Sequence, residues 1–399
     1  MAQIALSRRV RRPLNVAIAL SVAISLVVAS DAFAVSWAVN HALTGGGFGW
    51  AWPGSLAVSS SKVAHTVFEQ RVVNQWIAYY RRSVDSGTTW GVPFRLSRAS
   101  VDEAGAASID AYGASVEAVW LEGEDILDGL DTVVMYRHSA DSGATWGNAV
   151  PLTPFFESAG MPRVARRGSL VAVTWTNETN GRVYVRISRD GGVTWQPRVL
   201  LAVTTRKITS TRYEGMPVVA IGSGVVYAVF YSASHTVRVR RSLTSGTTWY
   251  SAVSLATNGS GWDPAIAASG SSVLVGYAAT AAADSWSVVR RSTDKGAHWA
   301  SAIELSARST YPSFSPVIGV SGGRWMAIFE RCYSNSCAYS DLYYRASVNT
   351  GSTWSAAQKV GVRRRRYQQP SDVDIATKTL VLYTNYDGSH NDVYVREGS

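Results

Sequence analysis

Ser83-Val-Asp-Ser-Gly-Thr-Thr-Trp90 returns five more times along the chain, as Ser139-Ala-Asp-Ser-Gly-Ala-Thr-Trp146, Ser188-Arg-Asp-Gly-Gly-Val-Thr-Trp195, Ser242-Leu-Thr-Ser-Gly-Thr-Thr-Trp249, Ser292-Thr-Asp-Lys-Gly-Ala-His-Trp299 and Ser347-Val-Asn-Thr-Gly-Ser-Thr-Trp354. A period of about fifty residues marks one supersecondary unit repeated along the chain, so the repeat outweighs the several-domain prior that length alone would give. Each string has the chemistry of a turn. Its Asp can accept from nearby backbone N–H groups, its Gly tolerates positive φ, and its Trp offers a large apolar surface to bury. Thr244 and Asn349 replace the Asp in two copies. Both can make local side-chain-to-backbone bonds but neither is a catalytic carboxylate, so the string reads as structure.

Around each turn lies the same order of parts. A small-residue first strand is expected to open on Pro53, Pro162, Pro217, Pro264, Pro316 or Pro370, since the first residue of a strand need not donate to the ladder. An apolar second strand follows, such as Leu170-Val-Ala-Val-Thr-Trp175, and then a third strand that runs into the turn. A fourth strand alternates from the turn Trp toward Leu six residues on. Short alternating strands with regular turns indicate an all-β fold, and the repeat selects a propeller of four-stranded antiparallel blades.

Seven third strands carry Arg two positions before the turn Ser, at Arg81, Arg137, Arg186, Arg240, Arg290, Arg345 and Arg396. An arginine present once per blade is expected to tie neighbouring turns together. The seventh unit lacks a turn and a fourth strand, while Trp37-Ala-Val-Asn-His-Ala-Leu43 has the Trp-to-Leu spacing of a fourth strand. The expectation is therefore seven blades, with this N-terminal strand completing the last one and leaving no open edge. Six blades with a loose extra segment is the alternative.

Residues 1–34 have the pattern of a secretory signal. Arg8, Arg9, Arg11 and Arg12 precede an apolar run from Leu14 to Ala29, and Ala32-Phe33-Ala34 offers a small-x-small cleavage site. An uncleaved anchor is the other reading of that run, and no other segment suggests a membrane span. The mature propeller, residues 35–399, is expected to be exported and monomeric. Loss of the leader lowers the formal charge of +10 to +7, almost all of it from arginine. That balance suits an anionic glycan or cell-surface polymer, and no nucleic-acid motif accompanies it. Cys332 and Cys337 are expected to form a local disulfide in an oxidising compartment. Six scattered histidines show no ligand spacing, so neither a metal nor another cofactor is expected.

The Ser-x-Asp-x-Gly-x-Thr-Trp string resembles the Asp box, or BNR repeat, of sialidases and related propellers, and the resemblance covers nearly the whole mature chain. It implies turns on the rim and a site at the opposite mouth of the central channel. Loops there carry Arg206, Arg212, Tyr213 and Glu214 in unit four, Arg308 and Tyr311 in unit six, Arg363 to Tyr367 in unit seven, and Trp262, Asp263, Trp50 and Trp52 elsewhere. Such a mouth suits an anionic sugar, through bidentate arginine contacts and ring stacking. For sialidase-type catalysis the resemblance implies arginines for a carboxylate (Arg206, Arg212, Arg308), a Tyr nucleophile (Tyr213, Tyr311 or Tyr367) with Glu214 or Glu330 as partner, and an acid among Asp102, Asp110 and Asp263. The chain lacks the Arg-Ile-Pro motif of sialidases and has one blade more than they do. Glycan binding without turnover is therefore the leading expectation, with an exo-glycosidase or a protein-interaction scaffold as alternatives. The acidic loop Glu122 to Asp131 fits no established calcium loop and reads as solvated.

Overall fold

A computed structural model describes residues 35–44, 50–59, 62–101, 103–124, 131–204, 215–232, 236–256, 260–281, 284–308, 311–360, 367–376, 378–387 and 389–399. The leader pattern of residues 1–34 lies outside this set. Seven separate four-stranded antiparallel sheets are formed, each a blade. The innermost strands, in blade order, are Ala51–Val58, Glu103–Tyr112, Ala159–Arg167, Val218–Gly222, Ser260–Ser269, Ser313–Ser321 and Tyr367–Ile375. In blade seven Trp37–Ala42 pairs with Asn391–Gly398, matching Trp37 to Gly398 and Ala42 to Tyr394. The chain closes its own ring as the displaced Trp37 strand leads one to expect.

The second strands form the most deeply buried layer. Leu170–Asn177 and Val225–Tyr231 are almost wholly enclosed, because neighbouring blades cover both faces. That is why they read as near-continuous apolar runs rather than as alternating ones. Trp120, Trp175 and Trp325 are fully buried in this layer. The cores lie between blades rather than within them: Tyr80 and Leu96 of blade one pack with Ile109, Trp120 and Met135 of blade two.

The turns behave as their composition predicts. In blade three, Ser188 Oγ donates to Asp190 Oδ1 at 2.7 Å and accepts from Gly192 N at 2.8 Å, while Thr194 N donates to Asp190 Oδ1 at 2.9 Å. The substituted copies keep the contacts. Thr244 Oγ1 accepts from Thr248 N at 2.9 Å, Asn349 Oδ1 accepts from Thr353 N at 2.9 Å, and His298 Nδ1 meets Asp294 Oδ2 at 2.6 Å.

Two sequence details come out differently. The fourth strands are mostly two paired residues long, as at Phe94–Arg95 and Val253–Ser254, rather than a full Trp-to-Leu run. The repeated arginines take over the carbonyls just past each turn. Arg186 Nε donates to Gln196 O at 2.9 Å, Arg240 Nε to Tyr250 O at 2.9 Å and Arg290 Nε to Ala300 O at 2.8 Å. Each also reaches the preceding blade: Arg186 Nη1 donates to Leu152 O at 2.6 Å and Arg290 Nη1 to Leu255 O at 2.8 Å. The prolines, for their part, do not open the first strands in most blades. Pro53, Pro162, Pro264, Pro316 and Pro370 sit at or within register shifts inside them. A bulge interrupts the ladder, which is the other place where a missing N–H is tolerated.

Candidate functional site

The bulges shape the wall of the central channel. Ala106, Met161 and Asp263 adopt left-handed φ of 51°, 50° and 47° at three of them, and Met216, just before the first strand of blade four, has φ of 40°. For residues with a side chain this conformation costs about 1–2 kcal/mol each, borne by the surrounding sheet. The first strands of neighbouring blades are not paired as a sheet. Side chains bridge them instead. Ile109 N donates to Ser55 Oγ at 2.6 Å, Arg166 N to Asp110 Oδ2 at 2.6 Å, Leu56 N to Asp372 Oδ2 at 2.9 Å and Val58 N to Asp374 Oδ2 at 2.9 Å.

The channel so built has a volume of about 550 Å³, and its lining includes Asp110, Arg163, Arg166, Asp263, Asp372 and Asp374. Burial pushes the carboxyls of Asp110 and Asp372 up to about 6 and that of Asp374 up to about 7, against the pull of their backbone donors. Glu69, on the second strand of blade one, accepts from Ala106 N and is raised by burial to about 7. Arg163 supplies opposite charge to Glu69 and Asp372. The channel wall therefore mixes signs, and three of its carboxylates, Asp110, Asp372 and Asp374, join blades.

The mouth opposite the turns has a different character. Among the described residues nine aromatic side chains stand exposed, and six of them, Trp50, Trp52, Phe155, Phe156, Tyr311 and Tyr339, lie on segments at this end. Trp50 stacks on Tyr386 with centroids 5.8 Å apart, and Trp52 lies across from Glu69 in the strand register. Cations lean on rings around the same end. Arg98 lies 5.8 Å from the Phe155 centroid, Arg198 4.5 Å from Tyr184, and Arg308 4.3 Å from Trp286. Buried acids hold some of these segments. Glu122 accepts from Arg98 N at 2.8 Å, from Arg98 Nε at 2.6 Å and from Trp120 Nε1 at 2.9 Å. Glu157 pairs with Arg198 at 2.5 Å.

The sequence candidates distribute over this end as follows. Asp263 is on the channel wall at a bulge. Arg308 also bonds Glu304 at 2.7 Å, next to Trp286, on the outer side of blade five. Tyr311 and Trp52 are exposed. Tyr367 begins the first strand of blade seven, opposite Tyr386. Arg206, Arg212, Tyr213 and Glu214 lie outside the described residues, as do Asp102, Arg363 to Arg366 and most of the acidic loop, residues 125–130. Cys332 and Cys337 are disulfide-bonded, with Cα atoms 4.9 Å apart. Their sulfurs lie near Glu330, but bonded sulfur offers no thiolate to a metal. Sequence reasoning missed Arg163, Glu69, Asp372 and Asp374. The alternation Asp372-Val373-Asp374, two carboxyls on one face of a strand, was the available signal.

No protein-family model and no curated protein matches the chain. Solved structures do. A polysaccharide lyase of family PL25, an ulvan lyase bound to -[GlcA(1-4)Rha3S]-, is 10% identical with a TM-score of 0.58, covering 90% of this chain and 95% of the lyase. The endosialidase of phage phi92 is 10% identical with a TM-score of 0.53, covering 90% of this chain and 68% of that one. YCF48 bound to a D1 peptide is 14% identical with a TM-score of 0.51, covering 90% and 94%. The likeness is one of fold. Propellers that act on glycans and one that binds a peptide share it, so the site must decide the function.

Proposed function

We propose that this protein is an exported, sialidase-like Asp-box propeller that binds an anionic glycan or cell-surface polymer across the mouth opposite its turns. The observation that carries this reading is the gathering of exposed rings at that end, with Arg98 set against the exposed Phe155 and with Arg198 and Arg308 over the buried rings of Tyr184 and Trp286 nearby. Ring faces take the apolar faces of sugars, and guanidinium groups take carboxylate or sulfate in bidentate geometry. Two of the glycan-acting propellers that share the fold, the ulvan lyase and the endosialidase, agree with it.

Turnover is not needed for this function. Three of the channel-wall carboxylates, Asp110, Asp372 and Asp374, are occupied in joining blades, which favours binding over hydrolysis. The test is titration of the secreted protein with uronic-acid, sulfated and sialylated oligosaccharides at low salt, with release of reducing ends followed in the same samples. Saturable binding that weakens with salt is expected, without release. A complete lack of binding across the three glycan classes sinks the proposal, and rapid release replaces it with the exo-glycosidase reading.

A further inference from the structure

The blade-to-blade contacts beneath the turns are filled in different ways, and at one of them the filling leaves a slot. At the contact of blades one and two, Tyr80, three residues before its turn Ser, lies beneath Gly143 of the next turn and meets Trp146 edge-on, with centroids 4.9 Å apart at 76°. At the contact of blades two and three, Tyr136 does the same beneath Gly192, with Trp195 at 5.1 Å and 80°. Each hydroxyl has a partner on the second strand of its own blade: His65 for Tyr80 at 2.8 Å, and Glu117 for Tyr136.

Blade four has Val239 at this register position, facing Val253 as Tyr136 faces Val150; blades three and five have Val185 and Val289 there, and Ile187 and Leu274 reach the next turn's glycine at those contacts. Valine is too small to supply the ring. Tyr227 of the second strand fills only the glycine notch, since a Cβ on Gly296 would touch its ring at 3.2 Å. A cavity of about 180 Å³ remains, walled by Tyr227, Val239, Tyr250 and Trp299, with Arg241 beside it. A cavity of roughly 150 Å³ lined by apolar side chains is enough to hold benzene. Tyr227 is fully buried, and its hydroxyl has no partner among the described residues. Tyr250 is half exposed, so the slot opens at the rim. Among its described lining residues Arg241 alone is charged; its guanidinium lies 4.6 Å from the Tyr250 centroid and donates to Lys295 O at 2.6 Å.

We propose that this slot between blades four and five is a second binding site, which takes a single-ring aromatic carboxylate. The ligand ring occupies the place that Tyr80 and Tyr136 fill at the sister contacts, edge-on to Trp299, and its carboxylate faces Arg241. The site lies at the turn end of the blades, so it is separate from the glycan mouth.

Benzoate titrated into the full secreted chain by calorimetry or ligand-observed NMR tests this. One saturable site in the millimolar range, about 4 kcal/mol of binding free energy, is expected. Val239→Tyr supplies the missing ring from the protein and should weaken benzoate by about tenfold or more. Arg241→Gln should weaken benzoate by a similar factor while leaving benzyl alcohol unchanged, and this second variant decides the matter if Val239→Tyr does not fold. Absence of saturable benzoate binding overturns the proposal. So does unchanged affinity in folded Val239→Tyr, or an equal effect of Arg241→Gln on benzoate and benzyl alcohol. Trp52→Ala leaves benzoate binding intact, which separates failure here from failure at the glycan mouth.

Discussion

The carboxylate of Asp372 accepts the backbone N–H of Leu56 at 2.9 Å, joining blade seven to blade one beside the channel. Asp374 repeats the link with Val58 two residues on, and Asp110 makes the corresponding one from blade two to Arg166 of blade three. These acids act as inner stitches, matched on the outside by the arginine contacts between blades.

A dependence on pH follows from the stitches. Burial raises the Asp110, Asp372 and Asp374 carboxyls to between about 6 and about 7, whereas an unfolded Asp titrates near 4. Across that window the folded chain holds protons that the unfolded chain has released. Their contribution is full below about pH 4 and is lost as pH rises through 6 to 7. The melting temperature is expected to fall between pH 5 and pH 8, and Asp374→Asn should flatten the slope. A melting temperature that climbs over the same range refutes this.

The turn carboxylates act in the opposite sense. Hydrogen bonds from Thr145 and Ser139 hold Asp141 down to about 2, and those from Thr194 and Ser188 do the same for Asp190. The stability they confer is present above the ordinary carboxylate range and is lost as pH falls through 2. Asp141→Asn, which keeps the acceptor, should lose less stability at neutral pH than Asp141→Ala and should blunt the acid limb of the melting curve.

Arg186 bonds Gln196 O and Leu152 O, one on its own blade and one on the blade before. Arg186→Ala should destabilise the protein by about 1.5–3 kcal/mol in urea, and Arg186→Lys should recover only part, because an ammonium cannot span both carbonyls as a fork. Full rescue by lysine would show that charge alone matters there.

Two glycines separate the cost of backbone conformation from that of contact. Gly113 (φ 63°) would place a Cβ in open space, and Gly192 (φ 89°) would drive one into the Tyr136 hydroxyl. Gly113→Ala should cost about 1–2 kcal/mol and Gly192→Ala more than about 3 kcal/mol. Equal costs would mean that Tyr136 moves aside freely.

At the mouth, Trp52→Ala is expected to weaken glycan binding by about fivefold to tenfold, since about a third of its side chain is open to solvent there. An unaltered affinity would move the contact surface away from blade one.

Much of the fold was legible because it is written in repeats: the turn string, the arginine two places before it and the displaced Trp37 strand give seven blades and their closure. The proline bulges were less legible, since proline at the start of a strand and proline at a bulge obey the same loss of a donor. The stitches of Asp110, Asp372 and Asp374 went unread because each is bonded across a blade junction, to a partner that only the ring brings near. The mouth was legible in composition, through its Trp, Tyr and Arg residues, but not in arrangement. The sequence offers no register between loops of different blades, so it does not say that Arg308 leans on Trp286 and bonds Glu304.

The pairing of Trp37–Ala42 with Asn391–Gly398 has a mechanical consequence. Ser36 and Ser399 lie side by side, each bonding the other's backbone, so a force that pulls them apart peels the two strands one hydrogen bond at a time instead of shearing them together. Under tension the ring opens at this latch, at a load set by a few bonds, however tightly the blades grip one another elsewhere.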